Sequence, residues 1–151
     1  MEINKDHMER NKLSKNFDWS EFEKSDVAKA HHINNFIIDW DVRDNIKALV
    51  DNVLQPLRDA WGGPLFINSG FRCKELNKRV GGVDNSMHQY GQAADVGVTD
   101  PYALAKLIKQ MGLVFDQVIL YPSFVHISYK ADGENRGQML YANKWRGPKD
   151  L

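Results

Sequence analysis

Apolar residues recur at helical spacing between residues 42 and 60, and this is the longest periodic pattern in the chain. A single apolar stripe of this length predicts an amphipathic helix with one face in the core. Asp41 is the predicted N-cap, Pro56 predicts a kink late in the helix, and Gly62-Gly63 predicts its end. The stripe consists of Val42, Ile46, Leu49, Val50, Val53 and Leu57.

Shorter patterns complete the predicted elements. The predicted short helices run from Asp18 or Ser20 through Ala28, over residues 73–80, and from Asp100-Pro101 to Gly112. The predicted strands are Leu65–Ile67, Ala93–Val98, Gln117–Tyr121, Phe124–Tyr129 and Gln138–Tyr141. Helices come first and strands cluster later, which favours an α+β domain with a small, largely antiparallel sheet and helices packed on one of its faces.

The length of the chain predicts a single domain. Its 151 residues suffice for one hydrophobic core and are too few for two ordinary ones. Residues 1–16 are polar and charged and are predicted to form a flexible lead, so we expect one domain over residues 17–151. Between the elements, residues 31–40 and 83–92 are predicted to be loops, the second of them exposed.

Charge and composition exclude several classes of function. Twenty basic and twenty acidic residues cancel, so the chain lacks the positive field that would bind nucleic acid. No apolar run approaches the ~20 residues of a membrane span, so no membrane insertion is expected. The polar N-terminus shows no signal peptide, which predicts synthesis in the cytoplasm. We expect a monomer, and the lone Cys73 can form no internal disulfide.

Two histidines and one aspartate form the most informative chemical set. Apolar side chains alternate along residues 94–98 and 125–127, so Asp95 and His126 each point away from the apolar face of a predicted strand. His88 lies in the predicted loop just before the first of these strands. Two imidazoles and one carboxylate suit a zinc ion that keeps a fourth position open for water. An Asp–His hydrogen bond without any metal is the alternative.

Several motifs resemble the zinc D-alanyl-D-alanine carboxypeptidase family, which includes cell-wall peptidases and phage endolysins and shares its fold with the amino-terminal domain of hedgehog proteins. They are Ser69-Gly-Phe-Arg72, Ser86-x-His88-x-x-Gly91-x-Ala93-x-Asp95, Val125-His126-Ile127, and the opening Leu13-Ser14-x-Asn16-Phe17-x-x-Ser20-Glu21-Phe22. The likeness covers roughly residues 13–130. It implies a hedgehog/DD-peptidase-like fold and one zinc ion, with His88, Asp95 and His126 as its ligands.

The resemblance also implies roles for residues around the metal. Arg72 would act in catalysis and in binding, facing the scissile carbonyl or a substrate carboxylate, a task that suits a planar and permanently charged guanidinium. Ser86 would help to position the peptide, with a capping or turn role as its alternative.

One part of the family pattern is missing. Many members carry Glu or Asp a few residues before the last zinc histidine, where the carboxylate passes a proton from water to the leaving amine. Here residues 121–125 contain no acidic side chain, and Asp116 is the nearest upstream carboxylate. With a two-residue hairpin turn, Ile119 pairs with His126 and Asp116 points to the opposite face. Three options follow: a carboxylate enters from elsewhere, Tyr121 polarises or protonates the substrate, or the domain holds zinc with little or no hydrolysis.

The predicted function is that of a zinc-dependent metallopeptidase which cleaves the stem peptides of bacterial peptidoglycan with a zinc-activated water. Arg72, Ser86 and Tyr121 are the predicted substrate contacts, and the activity is that of a carboxypeptidase or an endopeptidase. The lack of a visible signal peptide favours a phage or prophage endolysin that a holin releases to the cell wall. A non-catalytic domain that binds zinc or peptidoglycan is the rival, and a thiol enzyme using Cys73 is a third interpretation.

Overall fold

The computed structural model describes residues 10–151, so residues 1–9 of the predicted flexible lead lie outside the described residues. The helical segments are α1 Trp19–Glu23, α2 Asp26–Ala30, α3 Trp40–Leu49, a π-helical turn at Val50–Leu54, α4 Gln55–Trp61, α5 Lys74–Arg79, a 3-10 turn at Met87–Tyr90 and α6 Pro101–Met111. The strands are β1 Phe66–Ser69, β2 Ala93–Gly97, β3 Gln117–Leu120, β4 Phe124–Ser128 and β5 Gln138–Tyr141. Among the described helices, none has both the length and the apolarity needed to cross a membrane.

A five-stranded sheet in the order β1-β2-β4-β3-β5 organises the domain. Only β3 and β5 pair in parallel, which confirms the predicted α+β class and the largely antiparallel sheet. The β3–β4 hairpin has the predicted register, with Ile119 opposite His126. On the next strand, Asp95 lies opposite the same histidine. Because residues directly opposite one another share a face, these three side chains point to one side of the sheet.

The other side of the sheet packs against the long helices. Val96, Val125 and Leu120 come from three neighbouring strands and lie in one buried cluster with the helical residues. All six residues of the apolar stripe predicted over 42–60 are buried. The long helices therefore lie on one face of the sheet, as predicted, and the face of Asp95 and His126 is left to shorter segments.

The central helix differs from its prediction at two points. Asp39 is the N-cap in place of Asp41, because its carboxylate accepts a hydrogen bond from the Asp41 amide at 2.7 Å. Pro56 follows the π-helical turn and lies in the first turn of α4. A wider turn there accommodates a residue that has no amide hydrogen to donate. Gly62 ends the helix with a φ of 75°, as predicted.

The first predicted helix is two helices. Glu21 caps α1 by accepting a hydrogen bond from the Asp18 amide at 2.9 Å. The chain leaves the helical conformation at Lys24, and the Ser25 hydroxyl accepts from the Ala28 amide at 3.1 Å to start α2. A second N-cap inside the predicted helix therefore divides it.

Residues 10–16 contact the helical layer. Leu13 belongs to the buried core. Lys47 Nζ donates to the Leu13 carbonyl at 2.8 Å, and the Asn16 amide donates to Gln55 Oε1 at 3.0 Å. In the described part of the chain, packing therefore begins before residue 17, because one buried leucine anchors a segment whose composition is otherwise polar.

Candidate metal centre

Asp95 and His126 meet because their strands are direct neighbours. Asp95 on β2 is buried, and His126 on β4 is half-buried. Nδ1 of His126 lies 2.8 Å from Oδ1 of Asp95. The strand alternation that predicted a common face for these two side chains is therefore matched by a direct contact between them.

His88 reaches the same carboxylate from a short turn. The Ser86 hydroxyl accepts a hydrogen bond from the His88 amide at 3.3 Å and starts the 3-10 turn Met87–Tyr90. Nδ1 of the imidazole lies 2.7 Å from the Gly70 carbonyl oxygen. Nε2 lies 3.3 Å from Oδ1 of Asp95. Both histidines thus converge on one oxygen of one carboxylate.

The prediction of an exposed loop over residues 83–92 is wrong at its centre. Ser86 and His88 are buried. The Gly91 backbone packs against α3, where a Cβ atom would lie 2.6 Å from the Val42 carbonyl oxygen. A φ of 71° and this contact both require glycine. The Ser86 hydroxyl has the capping role that the sequence left open, and its contact with substrate stays a prediction.

The donor set fits a metal ion. A carbonyl oxygen only accepts hydrogen bonds, so Nδ1 of His88 carries the proton and Nε2 turns its lone pair toward Asp95. These two electron-rich atoms, 3.3 Å apart, need a cation or a proton between them. Ligand atoms at ~2.0–2.1 Å from a tetrahedral zinc are about 3.3 Å apart. Within residues 10–151, the cluster is the one group of three or more His, Cys, Asp or Glu residues whose ligand atoms all lie within 4.8 Å of one another.

Asp95 is held in its charged form. Burial raises its pKa, but the contacts with His126 and His88 lower it more strongly, and the net result is a pKa well below the usual range. An ionised carboxylate is the form that coordinates a metal. The cluster therefore presents one anionic oxygen ligand and two imidazole nitrogens.

Arg72 is fixed beside this carboxylate by three side chains. Its Nε donates to Ser69 Oγ at 3.0 Å, and Nη1 donates to Asn77 Oδ1 at 3.3 Å. Nη2 lies 3.5 Å from Oδ2 of Asp95. Burial lowers the pKa of Arg72, and the charges of Asp95 and Tyr121 oppose that effect. Because both Nη contacts are long, the guanidinium keeps hydrogen-bonding capacity for a ligand.

Asn77 is a residue of the site that the sequence reasoning missed. Its side chain is buried on α5, where Nδ2 donates to the Val83 carbonyl at 2.8 Å and Oδ1 accepts from Arg72. A Cβ atom on Gly82 would lie 2.1 Å from the Asn77 Oδ1 atom. Gly81-Gly82 directly after a polar helix was the available signal, because a glycine there makes room for a side chain as well as ending the helix.

Tyr121 follows β3 at the turn of the β3–β4 hairpin. Its ring stacks on Phe124, with centroids 4.3 Å apart and an interplanar angle of 12°. The Tyr121 amide donates to the Phe124 carbonyl at 3.0 Å and closes the β3–β4 turn. Tyr121 shares the His126 face of the hairpin and is close enough to Arg72 to raise its pKa.

Two other candidates lie outside the cluster. Asp116 is fully buried on the opposite side, as the predicted register required, and accepts bidentate hydrogen bonds from Arg136 at 2.9 and 2.7 Å. It also accepts from the Arg136 amide at 3.1 Å. Cys73 is the N-cap of α5, and its Sγ accepts from the Leu76 amide at 3.5 Å. Neither the Asp116 carboxylate nor the Cys73 thiol faces the cluster of His88, Asp95 and His126.

Comparisons with known proteins show what this chain is similar to. The family model described as peptidase M15 matches residues 15–128, a range that contains all three cluster residues. A zinc D-Ala-D-Ala carboxypeptidase from Streptomyces albus G is 38% identical over 88 residues. The match covers 55% of this chain and 34% of that protein, so it spans about a third of the relative's length.

Proposed function

This chain belongs to the peptidase M15 family, and on that basis we propose that it is a zinc metallopeptidase which hydrolyses peptide bonds in the stem peptides of peptidoglycan. The observation that carries the proposal is the convergence of two ring nitrogens on Oδ1 of Asp95, at 2.8 and 3.3 Å. The name of the Streptomyces relative supports the metal and the kind of substrate.

His88, Asp95 and His126 are the proposed holders of one zinc ion. Three protein ligands leave a position of a tetrahedral site open, which is the arrangement of catalytic zinc. When bound, zinc supplies a Lewis acid that polarises a carbonyl and lowers the pKa of water. The Gly70 carbonyl accepts from Nδ1 of His88, so in the neutral imidazole the nitrogen that faces the carboxylate is the one with the free lone pair, which is the form that binds a metal.

Arg72 is the proposed anchor for the negative charge of the substrate. Ser69 and Asn77 hold the guanidinium from behind, and its contact with Asp95 is long at 3.5 Å. A substrate carboxylate, or the oxygen of a scissile carbonyl as it gains charge, can take up the free donors.

Tyr121 is the proposed proton donor to the leaving amine. The sequence lacks an acidic residue directly before His126, and Asp116 is buried with Arg136 on the other face. The Tyr121 phenol lies on the His126 face, beside the Arg72 cation. A phenol can serve in general acid–base catalysis when it is held at the reacting group.

The test is hydrolysis of purified peptidoglycan by the zinc-loaded protein, followed by the new amino groups and by mass spectrometry of the products. We expect hydrolysis by the wild type, loss in His126→Ala, and loss on chelation that added zinc reverses. His31→Ala, at an exposed histidine outside the cluster, is the matched control and keeps the activity. No new amino groups from fully zinc-loaded wild type would overturn the proposal.

The products of the same reaction distinguish a carboxypeptidase from an endopeptidase. Free D-alanine identifies a carboxypeptidase, whereas separated cross-linked stem peptides and falling turbidity of a cell-wall suspension identify an endolysin-type endopeptidase. A non-catalytic domain is the second candidate, favoured by the missing acidic residue before His126. It predicts one zinc per chain, retention on sedimented peptidoglycan, and no products of either kind.

A further inference from the structure

A large groove lies beside the metal cluster and is not used by the proposed chemistry. Its volume is about 990 Å³, at the upper end of the roughly 300–1,000 Å³ of small-molecule sites. The segment 34–39 forms one side, while α5 and the segment 84–90 form the others. A terminal dipeptide of the substrate, bound at Arg72, would leave most of this groove empty.

The segment 34–39 holds large apolar side chains in solvent on a fixed backbone. Phe36 is 66% exposed and Ile38 is 90% exposed. In the same segment, buried Asn35 donates to the Phe71 carbonyl at 2.9 Å and accepts from the Cys73 amide at 2.7 Å. The backbone of this segment is therefore fixed by hydrogen bonds, and it holds the apolar side chains in solvent. Exposed apolar patches of this kind mark binding surfaces.

Most of the remaining lining residues are polar, beside Val42, Phe71 and Cys73, and their charges balance. Asn85, Lys74 and Lys78 make no side-chain hydrogen bond or ion pair within residues 10–151 that the structure records, and the Tyr90 hydroxyl makes none there either. Tyr90 is 47% exposed and adds a second aromatic ring. Two lysines and two aspartates line the groove, and they are Lys74, Lys78, Asp39 and Asp84.

These features favour an uncharged sugar chain over a peptide. A pyranose ring offers a C–H face that packs on an aromatic ring, and its N-acetyl group pairs with side-chain amides, which both donate and accept. An extended peptide is commonly bound on a strand edge, but no residue of β1 to β5 lines the groove. The balance of charges gives no strong attraction to an acidic peptide.

The groove is connected to the metal cluster through residues that contact Arg72 or follow His88. Asn77 lines it and also accepts the hydrogen bond from Arg72. Gln89 and Tyr90 line it and directly follow His88 in the same 3-10 turn. A polymer seated in the groove therefore carries its attached peptide to the cluster at a high effective concentration.

We propose that this groove binds the N-acetylated amino-sugar chain of the polymer whose stem peptides are hydrolysed, an inference that rests on the proposed function. Phe36 and Tyr90 stack on sugar rings, and Asn85 and Gln89 bind the N-acetyl groups. Binding energy from the sugar chain then serves the reaction at the distant peptide bond.

The test is a titration of the zinc-loaded protein with a tetramer of N-acetylglucosamine, followed by the NMR signals of backbone and side-chain amides. We expect saturable shifts that centre on Asn85, Gln89 and Tyr90. Phe36→Ala and Tyr90→Ala each weaken binding about fivefold, the scale of one aromatic contact. Phe66→Ala is the matched control, because Phe66 is 63% exposed and lies outside the groove.

A second measurement compares substrates. The ratio of kcat/KM on intact peptidoglycan to kcat/KM on a free stem peptide is expected to fall about fivefold in Phe36→Ala and to stay unchanged in Phe66→Ala.

Each outcome bears on one proposal. Absence of saturable shifts, or equal weakening by the Phe66 variant, overturns the sugar groove. Weaker binding of a free stem peptide in Phe36→Ala, without any effect on the tetramer, assigns the groove to peptide and also overturns it. The titration needs no hydrolysis, so sugar binding by an inactive protein contradicts the proposed peptidase alone.

Discussion

Asp95 and Asp116 are two buried carboxylates with opposite surroundings. Asp116 is saturated, because the Arg136 side chain and amide supply three hydrogen bonds and a full positive charge. Asp95 faces two imidazoles and only a long contact from Arg72. One of those imidazoles turns an unprotonated nitrogen toward it. A buried charge needs compensation. A guanidinium supplies it at Asp116, whereas Asp95 depends on two imidazoles and the more distant Arg72.

Burial and a lowered pKa therefore do not by themselves mark a reactive carboxylate. Contacts within the fold lower the pKa of both residues. What separates them is the partner set: Asp116 forms a structural ion pair with a guanidinium, whereas two partners of Asp95 are imidazoles, which are common metal ligands.

Exchange of each carboxylate for its amide separates the two roles most strongly. Asp95→Asn removes the anionic ligand, so we expect zinc affinity to fall more than about 100-fold, beyond the effect of removing an outer-shell partner. Zinc per folded chain after dialysis is the measurement. Asp116→Asn is the matched control and keeps one zinc per chain. Equal zinc loss in both variants would abolish the distinction.

Removal of the proposed proton donor, Tyr121, is expected to have the next largest effect. Asp116 faces away from the site, so the phenol of Tyr121 is the proposed proton donor. We expect Tyr121→Phe to lower kcat about 100-fold. Its zinc content should stay unchanged, because the ring still stacks on Phe124. Steady-state hydrolysis of peptidoglycan measures it, and Tyr129→Phe is the control phenol. Full activity of Tyr121→Phe would remove this residue from the mechanism.

The arginines beside the two carboxylates also differ in their partners. Arg136 pairs with Asp116, whereas Arg72 is held by the neutral side chains of Ser69 and Asn77 as well as by Asp95. We expect Asn77→Ala to lower kcat/KM about tenfold without zinc loss, since one hydrogen bond to a charged group is lost. Gly82→Ala should do the same, because its Cβ displaces the Asn77 amide.

The double variant tests that coupling. Its loss should be smaller than the product of the two single losses, since the shortened side chain of Asn77→Ala makes room for the new methyl group on residue 82. Strict multiplication of the two losses would show that Gly82 acts on something other than Asn77.

The smallest expected effect is on the pH dependence of the stability that the Asp116–Arg136 ion pair contributes. Arg136 lowers the pKa of Asp116, so the stabilisation is complete above the ordinary pKa of about 3.9 and is lost as pH falls through the lowered folded value. Urea denaturation should show wild type more stable than Asp116→Asn by a constant amount between about pH 5 and 7. The gap should shrink below about pH 4. A gap independent of pH would mean that the ion pair contributes nothing.

Much of this arrangement follows from local sequence. A strand has a period of two residues, so Val125-His126-Ile127 and Ala94-Asp95-Val96 determine which face each polar side chain takes. The short turn at Pro122-Ser123 determines that Ile119 meets His126. The same register predicts that Asp116 points to the opposite face, where the structure places it.

Other features depend on partners distant in the chain. Arg136 is twenty residues from Asp116, Asn35 holds residues 71–73, and Leu13 packs in the core despite its polar neighbours. The prediction of an exposed loop around His88 was wrong for the same reason. The His88 ring is buried against the Gly70 carbonyl, which lies eighteen residues earlier in the chain. Periodicity describes one element at a time and carries no information on such contacts.

The α+β class and the common face of Asp95 and His126 could both be predicted from the sequence, because side-chain periodicity is a local property. Three features required the folded chain: which nitrogen of His88 faces the carboxylate, which side chains hold Arg72, and the presence of a groove beside the cluster. Those depend on hydrogen bonds and packing between segments that the fold alone brings together.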